Sequence, residues 1–297
     1  MNDKDAKQEP PAWLSYIENC IEEEADVYES NAPYYEVIRD LLLDSSEQDE
    51  AIEQAVKRCC DQYTGEVDER NARIDEDDPE PPQREDYNFN LLLGTMTALV
   101  FEMMGELPYL DPKTDTLSKF LVGLANYAED KPRKGKSGDL ISAVRETWHA
   151  SHADNLPVDA DGSSAEEVIH RWLNVASLIA QLFKADLLEE FGPRWIANDF
   201  GSALQERRDG DITKHPVKQA EALAIVNYIL ISGERFAEAA KAGKVEMTAE
   251  KWRLWAEEMK KVADLVDESV RWDFQERARK ASDMMVELYP EAFEQKD

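Results

Sequence analysis

The sequence predicts an all-α protein, an irregular bundle of stacked helical hairpins with no sheet. Apolar residues recur at spacings of three and four along almost every segment, which is the period of a helix with one buried face. No run alternates apolar and polar residues for long enough to make a strand. No fixed-period repeat is visible either, so hairpins of unequal length are expected rather than a regular solenoid.

Taken in order, residues 1–11 read as a flexible N-terminal tail, and residues 12–297 as a single helical domain. Helices are expected at Ala12 to Val27, Pro33 to Leu43 and Glu47 to Tyr63. In "SSEQ", Ser45 is placed to cap the third of these, with Gln48 as its reciprocal partner. Between Glu66 and Asp86, "EVDERNARIDEDDPEPPQRED" holds ten acids, three basic residues and three prolines. Such a stretch buries too little apolar surface to fold alone, so 66–86 is expected to be a mobile acidic loop. The next helices, Asn88 to Gly105 and Thr114 to Glu129, are separated by Pro108 and Pro112, which stop one and open the other. A further helix, Gly138 to Ala150, leads into the polar loop "SHADNLPVDADG".

The helix from Ser163 to about Asp186 opens on "SSAE", the pattern of a capping box. At 100° per residue, Val168, Trp172, Val175, Ile179 and Leu182 share one face, widened by Leu173, Ala176, Ala180 and Phe183. An arc this wide suits the central post of a bundle. The remaining stripe, His170, Asn174, Ser177 and Gln181, is narrow; it is expected to be a solvated edge, with a groove as the alternative. After "FGP" follow a helix to Arg208 and a long one from Pro216 to about Ala242. A helical hairpin closes the chain, one arm repeating Trp252, Trp255, Met259, Val262 and Val266, the other Val270, Phe274, Ala278, Ala281, Met285 and Leu288.

Composition bounds the function. With 42% hydrophobic residues and seven tryptophans there is ample core, so the 33% charged residues describe a surface. The net charge of −30 repels phosphates and anionic lipid, which argues against nucleic acid and membrane as partners. The longest apolar run, Leu223 to Gly233, falls short of the ~20 residues that span a bilayer. The N-terminus has no apolar segment behind its charges, and Cys20, Cys59 and Cys60 make no disulfide framework, so a reducing compartment, cytoplasm or nucleus, is expected. Cys59 and Cys60 read as packed thiols, a vicinal redox pair being the alternative.

Phosphate-binding glycine loops, a nucleophile elbow and zinc-ligand spacings are missing from the sequence, and His149 and His152 in "WHASH" read as a helix terminus. One local pattern has a chemistry. "NDFGSALQE" places Asn198, Ser202 and Glu206 on one helix face and resembles the second magnesium motif of isoprenoid cyclases, where hard oxygen ligands hold the ion against a diphosphate. The aspartate-rich partner motif of those enzymes has no counterpart, since "IDEDDPEPP" contains prolines that forbid a helix.

From Trp172 onward, "WLNVASLIAQL", "PRWIANDFGSALQE", "AIVNYILISGERF" and "EKWRLWAEEMKKVAD" follow one another in an order similar to that of an ascomycete fungal family catalogued as a domain of unknown function. The resemblance marks Trp172, Asn174, Trp195, Gly233, Glu234, Trp252 and Trp255 as motif positions. It implies no catalytic residue and no cofactor, and these positions are expected to define the fold. The leading expectation is an intracellular, non-enzymatic interaction or regulatory module whose partner is another protein. The alternatives are a magnesium-dependent isoprenoid or diphosphate enzyme on Asn198, Ser202 and Glu206, and an acidic chaperone or mimic for a basic partner.

Overall fold

A computed structural model of the chain describes residues 10–74, 87–129, 140–142, 144–145, 163–188, 191–204, 211–244, 247–268 and 270–294. Among them there is no strand, and the chain divides into two compact units, Met1–Val144 and Arg145–Asp297. The expected N-terminal tail falls almost wholly outside the described residues, as do His149 and His152.

The first unit is built from α1 (Ala12–Glu24), α2 (Ala32–Leu43), α3 (Gln48–Ala72), α4 (Phe89–Glu106) and α5 (Pro112–Glu129). α1 packs on α2 and α4, α3 on α2 and α5, and α4 and α5 form a hairpin. Ile17, Ile38, Met96, Met103 and Phe120 are fully enclosed at the centre, each burial contributing about 1.5–3 kcal/mol relative to exposure. The α4–α5 turn follows from its prolines. Pro108 lies just past α4, Pro112 opens α5, and the Asp111 carboxylate accepts the Lys113 N–H at 2.9 Å between them.

Two expectations fail here. Ser45 does not cap α3: the Asp44 carboxylate accepts the Ser46 N–H at 2.7 Å, and Gln48 instead donates to Thr116 Oγ1 at 2.7 Å, tying α3 to α5. The second concerns the acidic stretch. α3 runs on to Ala72, so 66–72 is helix rather than loop. Val67 is buried, Glu66 accepts from Tyr34, and Glu69 pairs with Arg73 one turn on. Those contacts hold a segment whose composition alone argues against helix. Residues 75–86 lie outside the described residues.

The second unit contains α6 (Ser163–Lys184), α7 (Phe191–Leu204), α8 (Pro216–Lys241), α9 (Ala249–Leu265) and α10 (Phe274–Leu288), with a 3-10 turn at Pro290–Ala292. Its central post is α8, not α6. α8 packs against α6, α7, α9 and α10, and its residues from Ala220 to Ile229 are buried all round. A sequence apolar on every face reads weakly by periodicity, which is why the strongly amphipathic α6 looks more central than it is. α8 bends at Ser232 (φ −128°, ψ 18°), where the hydroxyl donates to the Tyr228 carbonyl at 2.9 Å. The α9–α10 turn passes through two left-handed residues, Trp272 (φ 65°) and Asp273 (φ 52°), an uncommon conformation for side-chain-bearing residues.

Candidate functional site

A concave feature assembled from several elements lies within the first unit, where the α1–α2 turn, α2, α3 and α4 surround a cleft of about 280 Å³. Tyr34 enters from α2, Tyr63, Glu66 and Arg70 from α3, and Leu91, Leu92 and Thr95 from α4; Glu29, Ser30 and Asn31 close the turn side. The turn is fixed at both ends. The Glu24 carboxylate accepts the Asn31 N–H, and Ser30 Oγ accepts the Ala32 N–H at 2.9 Å, with Glu29 in the left-handed region (φ 57°). Tyr28, next to Glu29 in this turn, is 75% exposed, and Leu91 in the cleft lining is 60% exposed.

Glu66 is the polar centre. Its Oε2 accepts from the Tyr34 hydroxyl at 2.9 Å and its Oε1 from Gln62 Nε2 at 3.0 Å, so the carboxylate is oriented while each oxygen keeps a second acceptor lobe. Burial, and then the Glu66 charge beside it, push the Tyr34 phenol far above its ordinary range, so it is a donor at every physiological pH. Tyr63 accepts the Asn88 N–H at 3.0 Å, and its ring lies 5.6 Å from that of Phe89. A second concavity of about 610 Å³ runs along the outer face of α3 and shares Glu66, with Asp61, Gly65 and Glu69 among its described lining. An oriented carboxylate between tyrosines, with apolar rims, is suited to hold a cationic side chain.

Of these residues only Glu66 and Arg70 stood out in the sequence, as members of the stretch 66–86 expected to be a mobile loop. The further signals were Val27 and Tyr28, side by side in a turn, and Leu91 out of phase with the buried stripe of α4. Neither shows which helices converge.

The motif positions belong to the second unit, and packing accounts for most of them. Trp252 is fully buried and donates from Nε1 to the Met285 carbonyl at 2.9 Å, joining α9 to α10. Trp255 stacks on Phe200 with ring centres 4.8 Å apart and lies parallel to Phe236 at 6.4 Å. Trp172 and Trp195 are buried in α6 and α7. At Gly233 a Cβ would come within 3.1 Å of Leu288 and 3.2 Å of Met284, so the glycine marks the close approach of α8 and α10. Glu234 is exposed, and nothing in the structure explains its place in the motif.

The polar stripe of α6 is not uniformly a solvated edge. Asn174 is only 1% exposed. Ser177 is half-buried; its hydroxyl donates to the Leu173 carbonyl at 2.8 Å and accepts from Asn227 Nδ2 of α8 at 3.0 Å. Arg277 of α10 in turn donates to Asn227 Oδ1 at 2.6 Å, so this part of the stripe joins three helices by hydrogen bonds. Gln181 is half-buried. His170, at the other end, lies edge-on to Trp272 with ring centres 5.6 Å apart, beside the Glu166–Arg271 ion pair; burial pushes its pKa below the ordinary value, Glu166 pulls it up and Arg271 adds to the lowering.

On α7, Asn198 is exposed and Ser202 half-buried, while Glu206 lies outside the described residues. Their neighbour Asp199 accepts the Tyr228 hydroxyl at 2.7 Å. Among the described residues no three His, Cys, Asp or Glu side chains converge as metal ligands, and no helix is long and apolar enough to cross a membrane.

A family model described as "Protein of unknown function (DUF3632)" matches residues 98–274, from within α4 to the first residue of α10. This reaches well upstream of the motifs that begin at Trp172, and it leaves the cleft residues outside the matched span. No curated protein and no solved structure matches the chain.

Proposed function

We propose, from the premise that the chain belongs to the family described as "Protein of unknown function (DUF3632)", that it serves as a non-enzymatic interaction or regulatory module that binds another protein through its first unit. The observation that carries this reading is a cleft with an oriented carboxylate, rimmed by the exposed Leu91, with the exposed Tyr28 next to its lining residue Glu29 in the turn. Large apolar side chains held outward beside a concavity are the usual anchors of a protein interface. The motif tryptophans support the same division of labour: they sit inside the second unit as core, and the cleft lies outside the family span. All three cysteines are free thiols, in keeping with a reducing compartment, cytoplasm or nucleus.

Crosslinking of the intact chain in an extract of its own cells tests the reading. Crosslinks to a second protein are expected within residues 25–31, 63–70 and 87–95, and a Tyr28→Ala, Leu91→Ala variant should lose them. Turnover of a small molecule by the purified chain, with no crosslinked protein, would overturn it.

A further inference from the structure

We infer that the cleft of the first unit docks a basic, apolar-flanked segment of another protein, with a Lys or Arg side chain seated against Glu66. The inference rests on the interaction-module reading and deepens it by naming the chemistry of the partner. About 280 Å³ is small beside the ~300–1,000 Å³ of pockets that enclose whole small molecules, and it suits one long side chain. Glu66 supplies an oriented charge and Glu29 a second one from the turn, with Tyr34 and Tyr63 among the lining residues. Arg70 is the one cation among the described lining residues of the cleft; the neighbouring concavity along α3 is of mixed charge, with Asp61 and Glu69 beside Lys57 and Arg58.

Gly65 is a separate indication. It sits in the interior of α3, next to Glu66, where glycine weakens a helix relative to alanine. A Cβ built there meets nothing within 4 Å. Gly65 lines the neighbouring concavity rather than the cleft itself, and since the fold has no steric use for a glycine there, it leaves room for a partner that runs on from the cleft along α3. Charge selects among partners. A second copy of a chain with net charge −30 is repelled, as are nucleic acid and anionic lipid, and a basic segment is attracted.

The test uses the full chain and a labelled synthetic peptide of Leu and Lys in amphipathic helical order, titrated by fluorescence anisotropy. Ionic strength is held at roughly 0.15 M, where the screening length is about 8 Å and diffuse attraction to an acidic surface is weak. Glu66→Gln and Tyr28→Ala should each weaken binding roughly tenfold, as expected for losing a charge-assisted contact or an aromatic anchor. Gly65→Ala should raise the thermal midpoint of the free chain and still weaken binding, a combination that a purely structural role does not produce. Glu257→Gln on α9 should change nothing. Equal weakening by Glu257→Gln, indifference to the Glu66, Tyr28 and Gly65 variants alike, or no binding at all would overturn the inference. So would a dimer in sedimentation that Tyr28→Ala abolishes, since the cleft occupant would then be a second copy. If crosslinks to a second protein map only to the second unit while the peptide fails to bind, the interaction reading stands and the cleft assignment falls.

Discussion

Two tryptophans of one motif, Trp252 and Trp255, do different work at the level of single atoms. The Trp252 indole N–H reaches the Met285 carbonyl, whereas the buried Trp255 N–H meets no acceptor among the described residues. Replacing Trp252 by Phe should therefore cost about 1 kcal/mol or more beyond the lost contact area, because a buried hydrogen bond goes with it. Trp255→Phe removes an unsatisfied donor from a stack with Phe200 and should cost less; urea midpoints of the two variants decide. His170 gives a pH prediction. Its folded pKa lies below the ordinary 6.5, so the unfolded state takes up the proton first, and stability present above pH 6.5 is lost as pH falls through the folded value. His170→Gln should flatten that part of a stability–pH profile, and an unchanged slope would place its cause elsewhere.

At the scale of elements, the close contacts are set by glycines, and they differ in what can yield. A Cβ at Gly192 would fall 2.4 Å from the Phe183 ring, which is itself covered by the Arg235 guanidinium 5.5 Å from its centre. Gly192→Ala should therefore destabilise by about 1–3 kcal/mol, as overpacking of a core does. A parallel measurement on Gly233→Ala should give less, since its nearest atoms are the ends of Leu288 and Met284. Much of this level was legible beforehand. Prolines 108, 112 and 216 and the three-four spacing placed α4, α5, α8, α9 and α10 to within a few residues, because those signals are local. The extension of α3 was not, since Val67 and Glu66 are held by residues distant in sequence. For the same reason the stripe of α6 read as a solvated edge: Asn227, which meets Ser177, and Arg277, which meets Asn227, come from two other helices. The cleft was invisible altogether, being a property of four segments together and of none alone.

For the whole molecule, charge governs behaviour outside the core. A net charge of −30 on 297 residues repels itself, so moderate salt should raise the thermal midpoint by screening that repulsion; a midpoint that falls between roughly 0.01 and 0.15 M would point to ion pairs outweighing it. Cys20, Cys59 and Cys60 all lie in the first unit, and every tryptophan except Trp13 lies in the second. Cys59 and Cys60 are buried, and burial pushes the Cys59 thiol far up, so alkylation must wait for that part of the fold to open. The chain thus carries two built-in clocks. Labelling of Cys59 and Cys60 times the opening of residues up to 144, and indole fluorescence follows chiefly residues from 145 onward. Each unit is large enough to unfold cooperatively on its own, so the two signals should give separate midpoints in urea. Coincident midpoints would mean that the whole chain opens as one cooperative domain.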